Sequence, residues 1–203
     1  MKEIIRVKSI KIENIKNVTN GYLQFPDYSE ENEITSNIIG LYGQNGSGKT
    51  AAVNAMRIVQ SLFSGQSFAP FSHLMQVGKL FYSIDFAFDI FTDDKIITVN
   101  YFFKYNKLGG FEEKISYKCG NDKSTVTIND ETFLSNKIFS PISRHEDFGV
   151  TTKQEMMEYL TQRKYNREKV KTSFFFDREF KNTIINNLKD NYFKLIISIM
   201  PTY

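Results

Sequence analysis

Gly43-Gln44-Asn45-Gly46-Ser47-Gly48-Lys49-Thr50 lies between a short apolar run, Asn37 to Tyr42 (NIIGLY), and a stretch whose apolar residues recur at helical steps. This octet satisfies G-x-x-x-x-G-K-[ST], the pattern of a phosphate-binding loop. The spacing has a physical reason. A loop that wraps an anion with its own N–H groups cannot carry bulky side chains or a β-restricted backbone, and glycines at 43, 46 and 48 remove both obstacles. A helix that starts where the loop ends adds its free N–H groups and the positive end of its dipole. Lys49 then reaches β- and γ-phosphate oxygens, and the Thr50 hydroxyl is placed for a Mg²⁺ that bridges them. The context agrees on both sides. NIIGLY reads as a strand buried on both faces. Ala52, Val53, Met56, Val59 and Phe63 read as one face of a helix, with Ser64-Gly65 as its stop.

Upstream, Ile10 and Ile12 alternate with Lys11, and Tyr22-Leu23-Gln24-Phe25 follows as a second strand closed by Pro26. Ser29 to Glu33 is a polar, acidic loop. Downstream, Phe81–Phe91, Lys95–Lys104, Glu113–Tyr117 and Ser124–Ile128 read as strands. Thr92-Asp93-Asp94, Leu108-Gly109-Gly110 and Gly120-Asn121-Asp122 separate them at hairpin spacing. From Thr152, a candidate N-cap with Glu155 as its capping-box partner, the pattern turns helical and highly charged. Asn182 to Leu188 reads as a further helix. Leu195, Ile196, Ile197, Ile199 and Met200, closed by Pro201, read as a buried strand without a sheet, so poor solubility of the chain alone is expected.

The composition narrows the field. The chain has 203 residues, 41% of them hydrophobic, enough for a real core. Its 26 basic and 23 acidic residues leave a net charge of +3, too little to argue for nucleic acid or an anionic membrane. One cysteine, Cys119, excludes an internal disulfide and any multi-thiolate zinc site. Two histidines, His73 and His145, are too few for a metal cluster. No apolar run spans a bilayer and the N-terminus is no signal peptide, so a cytoplasmic protein is expected.

The loop resembles the G-x-N-G-x-G-K-[ST] variant of ABC-type ATPase heads. Ile10-Lys11-Ile12-Glu13-Asn14-Ile15-Lys16-Asn17-Val18 resembles the strand and N-F-[KR]-[NS] opening of RecF, SMC and OLD-like ATPases. Phe68-Ala69-Pro70-Phe71, with paired aromatic strands after it, is similar to the prokaryotic AAA-15/AAA-21 ATP-binding proteins, which often serve phage defence or DNA repair. The resemblance covers about Ile4 to Leu134. It implies an α/β P-loop NTPase: residues 1–150 form the N-terminal lobe of an ABC-type head with an antiparallel β-hairpin block, and residues 151–203 form a mainly helical segment. It implies ATP and Mg²⁺ as ligands, and a nucleotide clamped between two protomers. It also implies a homodimer or a second chain carrying a Ser-Gly-Gly signature loop and a strand ending in Asp-Glu. DNA enters as a partner by resemblance only.

The sequence departs from that pattern. No Ser-Gly-Gly follows Thr50, and no apolar strand ends in Asp-Glu. Phe174-Phe175-Phe176-Asp177-Arg178-Glu179 reads instead as the start of a charged helix. The chain thus reads as a head that ends before its catalytic half: truncated, split or a fragment. Its catalytic residues are unknown from sequence. Ser83, Asp85 and Asp89 read as solvated positions of the hairpin strands. Asn14, Lys16 and Asn17 read equally as neighbours of base or phosphates and as a solvated turn. Tyr22 and Tyr42 are aromatic candidates for the base, with Tyr42 reading as core. No role is assigned to Glu112 or Glu113, and no Gln between Gln76 and Gln154 is available for the magnesium shell. Lys164, Arg167, Lys169 and Lys171 read as a solvated helix face before a DNA contact. Two other classes compete: a non-catalytic regulatory or degenerate binding module, and a small kinase, against which the hairpin block argues.

Overall fold

The computed structural model describes residues 4–26, 40–93, 95–108, 110–129, 171–173, 175–177 and 191–202. The strands are β1 (Ile4–Ile15), β2 (Val18–Gln24), β3 (Phe81–Phe91), β4 (Ile96–Asn106), β5 (Phe111–Cys119) and β6 (Asp122–Asn129). Helix α1 spans Lys49–Phe63, a 3₁₀ segment spans Ala69–Leu74, and α2 spans Asn191–Ile199. The strands form one six-stranded sheet in the order β2-β1-β3-β4-β5-β6, with every pairing antiparallel. The result is a sheet-dominated mixed fold, and its hairpin block is the one the alternation in the sequence predicts.

Period-two alternation explains the layering. Ile10, Phe86 and Tyr101 stand in register across β1, β3 and β4, as do Ile12, Ile84 and Phe103, and all are buried. Helix α1 lies over this face. Phe63 packs edge-on to Tyr101 at 5.0 Å, and Phe176 joins them at 4.9 Å from Phe63. Phe68, beside the 3₁₀ segment, packs edge-on to Phe103 and Phe111. One polar pair sits in this apolar layer: Tyr101 donates from its hydroxyl to the fully buried Glu113 at 2.5 Å.

Several expectations need correction. Helix α1 buries Ala51, Asn54, Ala55, Ile58, Val59, Leu62 and Phe63, while Val53 is exposed. Apolar residues cover more than half of the helix circumference, and Val53 lies at the edge of that arc, at helical spacing with Lys49, Arg57 and Gln60. Ala51, Ala55, Ile58 and Leu62 reach the core with no exposure. Leu195–Met200 is not a strand. It belongs to α2 and the 3₁₀ turn that follows, where Phe193, Ile196, Ile197 and Met200 are buried at helical spacing. Asn37–Ile39 lie outside the described residues, and Gly40–Tyr42 form no strand. Tyr42 is not core: it is 95% exposed. Ser83 and Asp89 are buried rather than solvated. Ser83 donates to Glu13, while Asp89 accepts from Thr98 at 2.7 Å and pairs with Lys8 at 3.2 Å beside a β-bulge at Val7/Ser9. Asp85 is exposed, as expected. Phe175–Asp177 form a turn with two buried phenylalanines, and Phe174, Arg178 and Glu179, the rest of the expected helix start, lie outside the described residues. The elements expected from Thr152 and Glu155 to Lys169, with His145, and over Asn182–Leu188 lie outside the described residues.

Candidate functional site

The octet Gly43–Thr50 forms a loop that runs into the N-terminus of α1. Gly48 is the N-cap, with φ 92° and ψ 0°, and contributes no side-chain cap. The first helical bond runs from Ala52 N–H to the Gly48 carbonyl at 3.1 Å. The amides before Ala52 have no acceptor within the helix, which is the geometry an anion needs. Glycine is required at position 48 twice over. Its φ is left-handed, and a Cβ there would stand 2.9 Å from Cγ2 of Val18 on β2.

Lys49 bends back over the loop. Its ammonium donates to the carbonyls of Gly43 at 2.5 Å and Gln44 at 2.7 Å, and lies 3.3 Å from Ser47 Oγ. Ser47 N–H closes a tight turn on the Gln44 carbonyl at 3.2 Å. The loop therefore has a cation at its centre with two of its own carbonyls turned onto that cation. Beside it lies a pocket of about 320 Å³, lined by Ile10, Ile12, Val18, Gly21, Tyr22, Leu41, Tyr42 and Lys49 among others. Gly21 keeps it open, since a Cβ there would meet Ile12 and Val18 at 2.9 Å. Tyr22 is 65% exposed at its rim.

Of the β1–β2 turn residues, the structure brings one to the loop. Asn17 donates from Nδ2 to the Gly46 carbonyl at 2.5 Å. Asn14 is buried near the end of β1, and Lys16, in the turn, is exposed. Gln76 lies beside the same hairpin: its N–H donates to the Asn14 carbonyl, and its Oε1 accepts from Thr19 at 3.2 Å. Gln76 carries no local signal for this contact, which joins segments 57 residues apart. Asp177, by contrast, sits at the far end of α1. Its neighbour Phe176 packs on Phe63, and 15 residues of helix at about 1.5 Å each put that end roughly 20 Å from Lys49. Asp177 takes its hydrogen bond from Thr172 there, at 3.4 Å. Glu113 packs at that end too, through Tyr101 and Phe63. Burial and the adjacent Glu113 carboxyl push the Tyr101 hydroxyl well above the usual phenol range. His73 lies in the 3₁₀ segment and is exposed.

The donor set for a metal is small. Thr50 offers one exposed hydroxyl at the loop's end, and among the described residues no three His, Cys, Asp or Glu side chains gather. That fits Mg²⁺ held with a phosphate group, because Mg²⁺ takes few protein ligands and completes its octahedron with phosphate oxygens and water. No described helix is long and apolar enough to cross a membrane.

No protein-family description matches this chain, and no curated protein matches it. Solved structures do. The recombination mediator protein RecF-ATP of the RecFOR pathway is 19% identical, with a TM-score of 0.38, over 60% of this chain and 29% of that one. RecF-ATPrS of the same pathway is 19% identical, with a TM-score of 0.35, over 59% of this chain and 28% of that one. The chain spans less than a third of the length of either neighbour.

Proposed function

We propose that this chain binds ATP, with Mg²⁺, through Gly43–Thr50, as the nucleotide-binding lobe of an ABC-type ATPase head of the OLD/RecF/AAA-15 kind. The observation that carries this reading is Lys49, held at the centre of a glycine loop that opens onto the N-terminus of α1. The amides of Gly46 to Thr50 are the donors for the phosphates, Lys49 is the cation, and Thr50 is the protein oxygen for Mg²⁺. Tyr22 and Tyr42, at the rim of the adjoining pocket, are the aromatic faces available to the base.

Hydrolysis belongs, in this reading, to a complete head. Among the described residues no carboxylate lines the pocket beside Lys49, and phosphoryl transfer depends on groups that order water and stabilise charge. A second copy or a second chain would supply them. The same observation favours the second reading, a non-catalytic nucleotide-dependent module. Titration with labelled ATP, with and without Mg²⁺, tests the shared core of both. Lys49→Ala should weaken binding at least about 10-fold, since it removes charge-assisted hydrogen bonds. Thr50→Ala should weaken only the Mg²⁺-dependent part. If both variants bind like the parent, the loop is not the site. Steady turnover by the isolated chain near 1 s⁻¹, around the low end of ordinary enzymes, would count against both readings of hydrolysis.

A further inference from the structure

The β1–β2 turn takes the left-handed backbone that a two-residue reversal calls for, but it does so on residues other than glycine. Ile15 pairs with Val18, leaving Lys16 and Asn17 as a two-residue turn. Lys16 has φ 53°, and Asn14 just before it has φ 56°. The β5–β6 turn reverses the chain in the same two-residue space, between Cys119 and Asp122, and there glycine takes the first position with φ 59°. Left-handed backbone is costly for a lysine and persists only where surroundings over-determine it. Here they do. Lys16 N–H donates to the Leu74 carbonyl at 2.6 Å, Gln76 N–H donates to the Asn14 carbonyl at 2.9 Å, and Ile15 bridges Met75. The turn so fixed aims Asn17 at a loop 29 residues away, where its Nδ2 holds the Gly46 carbonyl.

That carbonyl matters because of what the loop must bind. A phosphate oxygen is attracted by N–H groups and repelled by carbonyl oxygens, so a loop carbonyl that swings inward opposes the anion. Lys49 occupies the carbonyls of Gly43 and Gln44. Asn17 occupies that of Gly46. Val18, the next residue, packs its Cγ2 against the backbone at Gly48. The hairpin thus touches the loop at two of its glycines.

We propose that Asn17 is a positioning residue for the phosphate loop: its carboxamide ties the Gly46 carbonyl away from the anion, so the loop is set before a nucleotide arrives. This rests on the nucleotide reading above, and it concerns the di- or triphosphate moiety rather than the base. The test uses the full chain with MgATP and MgADP. Asn17→Ala should weaken both roughly 5- to 10-fold, the effect of one hydrogen bond. Asn17→Asp should weaken them more, because a carboxylate faces the carbonyl and the phosphates. Thr19→Ala, which loses a bond to Gln76 but none to the loop, should bind like the parent. Hydrogen exchange at the loop amides of the nucleotide-free chain should quicken in Asn17→Ala and not in Thr19→Ala. Asn17→Gln, still polar and one methylene longer, replaces the alanine variant if that one does not fold, with the same faster exchange expected. A parent that binds and an Asn17→Ala variant that binds equally tightly overturn the clamp and leave the nucleotide reading standing. Equal losses in Asn17→Ala and Thr19→Ala also overturn it, since they assign the effect to general support of the hairpin. A parent that binds no nucleotide overturns the nucleotide reading itself, and the clamp with it.

Discussion

Replacing Gly48 with alanine tests how the loop is seated. Two costs follow from the geometry. The backbone at φ 92° is left-handed, which for an L-residue costs about 1–2 kcal/mol. The new Cβ would stand 2.9 Å from Val18 Cγ2, and overpacking of this kind costs typically about 1–3 kcal/mol. Alanine restricts the unfolded chain and returns roughly 0.4–1 kcal/mol. The net expected destabilisation is about 2–3 kcal/mol, shared between the backbone and the contact with β2. The partner variant separates the two costs. In a Val18→Ala background Cγ2 is gone, so Gly48→Ala should then cost only the backbone part less the same unfolded-chain return, about 1 kcal/mol. Urea unfolding of the four chains, with m held constant across them, measures the cycle. ATP titration on the same samples reads whether the loop follows. A Gly48→Ala cost below about 0.5 kcal/mol, the scatter expected of an ordinary surface site, would refute the seating of the loop on β2. Equal costs in both backgrounds would refute the steric contact and leave the backbone argument alone.

Two further predictions concern the sheet. Tyr101 and Tyr82 are both fully buried, but the Tyr101 hydroxyl donates to Glu113, while the Tyr82 hydroxyl has no hydrogen-bond partner among the described residues. Tyr101→Phe should therefore lower stability by about 1–3 kcal/mol, and Tyr82→Phe should be neutral or stabilising, because it removes a polar group desolvated without return; thermal melts that rank the two the other way would refute this. Desolvation raises the Asp85 carboxyl above its ordinary value, against the lowering pull of Lys11 and Lys114. A raised acid favours the folded state below its unfolded pKa and loses that contribution as pH rises through the folded pKa, so Asp85→Asn should raise the melting temperature slightly at pH 7, and the gain should shrink toward pH 4.

The hairpins were legible because strand alternation and turn chemistry are local. Phe81–Phe91 shows its buried face in its own residues, and Gly120 supplies its own left-handed φ. The helical spacing of Phe193, Ile196, Ile197 and Met200 was also present in the sequence, but the dense apolar run around it mimics a buried strand. Length and alternation do not separate the two in so short a segment. The face of α1 was legible in its polar residues, since Lys49, Arg57 and Gln60 stand at helical spacing around Val53, but the apolar residues taken alone allow a stripe through Val53 and Met56 that the structure does not bury.

By itself the sequence determined the glycine loop, the helix after it and the antiparallel strands, since each depends on φ/ψ preferences and periodicities within a few residues. Tertiary structure alone decided what surrounds the loop. The contact of Asn17 with Gly46 spans 29 residues, and that of Thr19 with Gln76 spans 57. The seat of Gly48 on Val18, the burial of Glu113 under Tyr101 and the distance of Asp177 from Lys49 likewise depend on how the hairpin, the 3₁₀ segment and α1 pack. An asparagine in a turn carries the same local signal whether its carboxamide meets water or a distant carbonyl, and packing decides which of the two it meets.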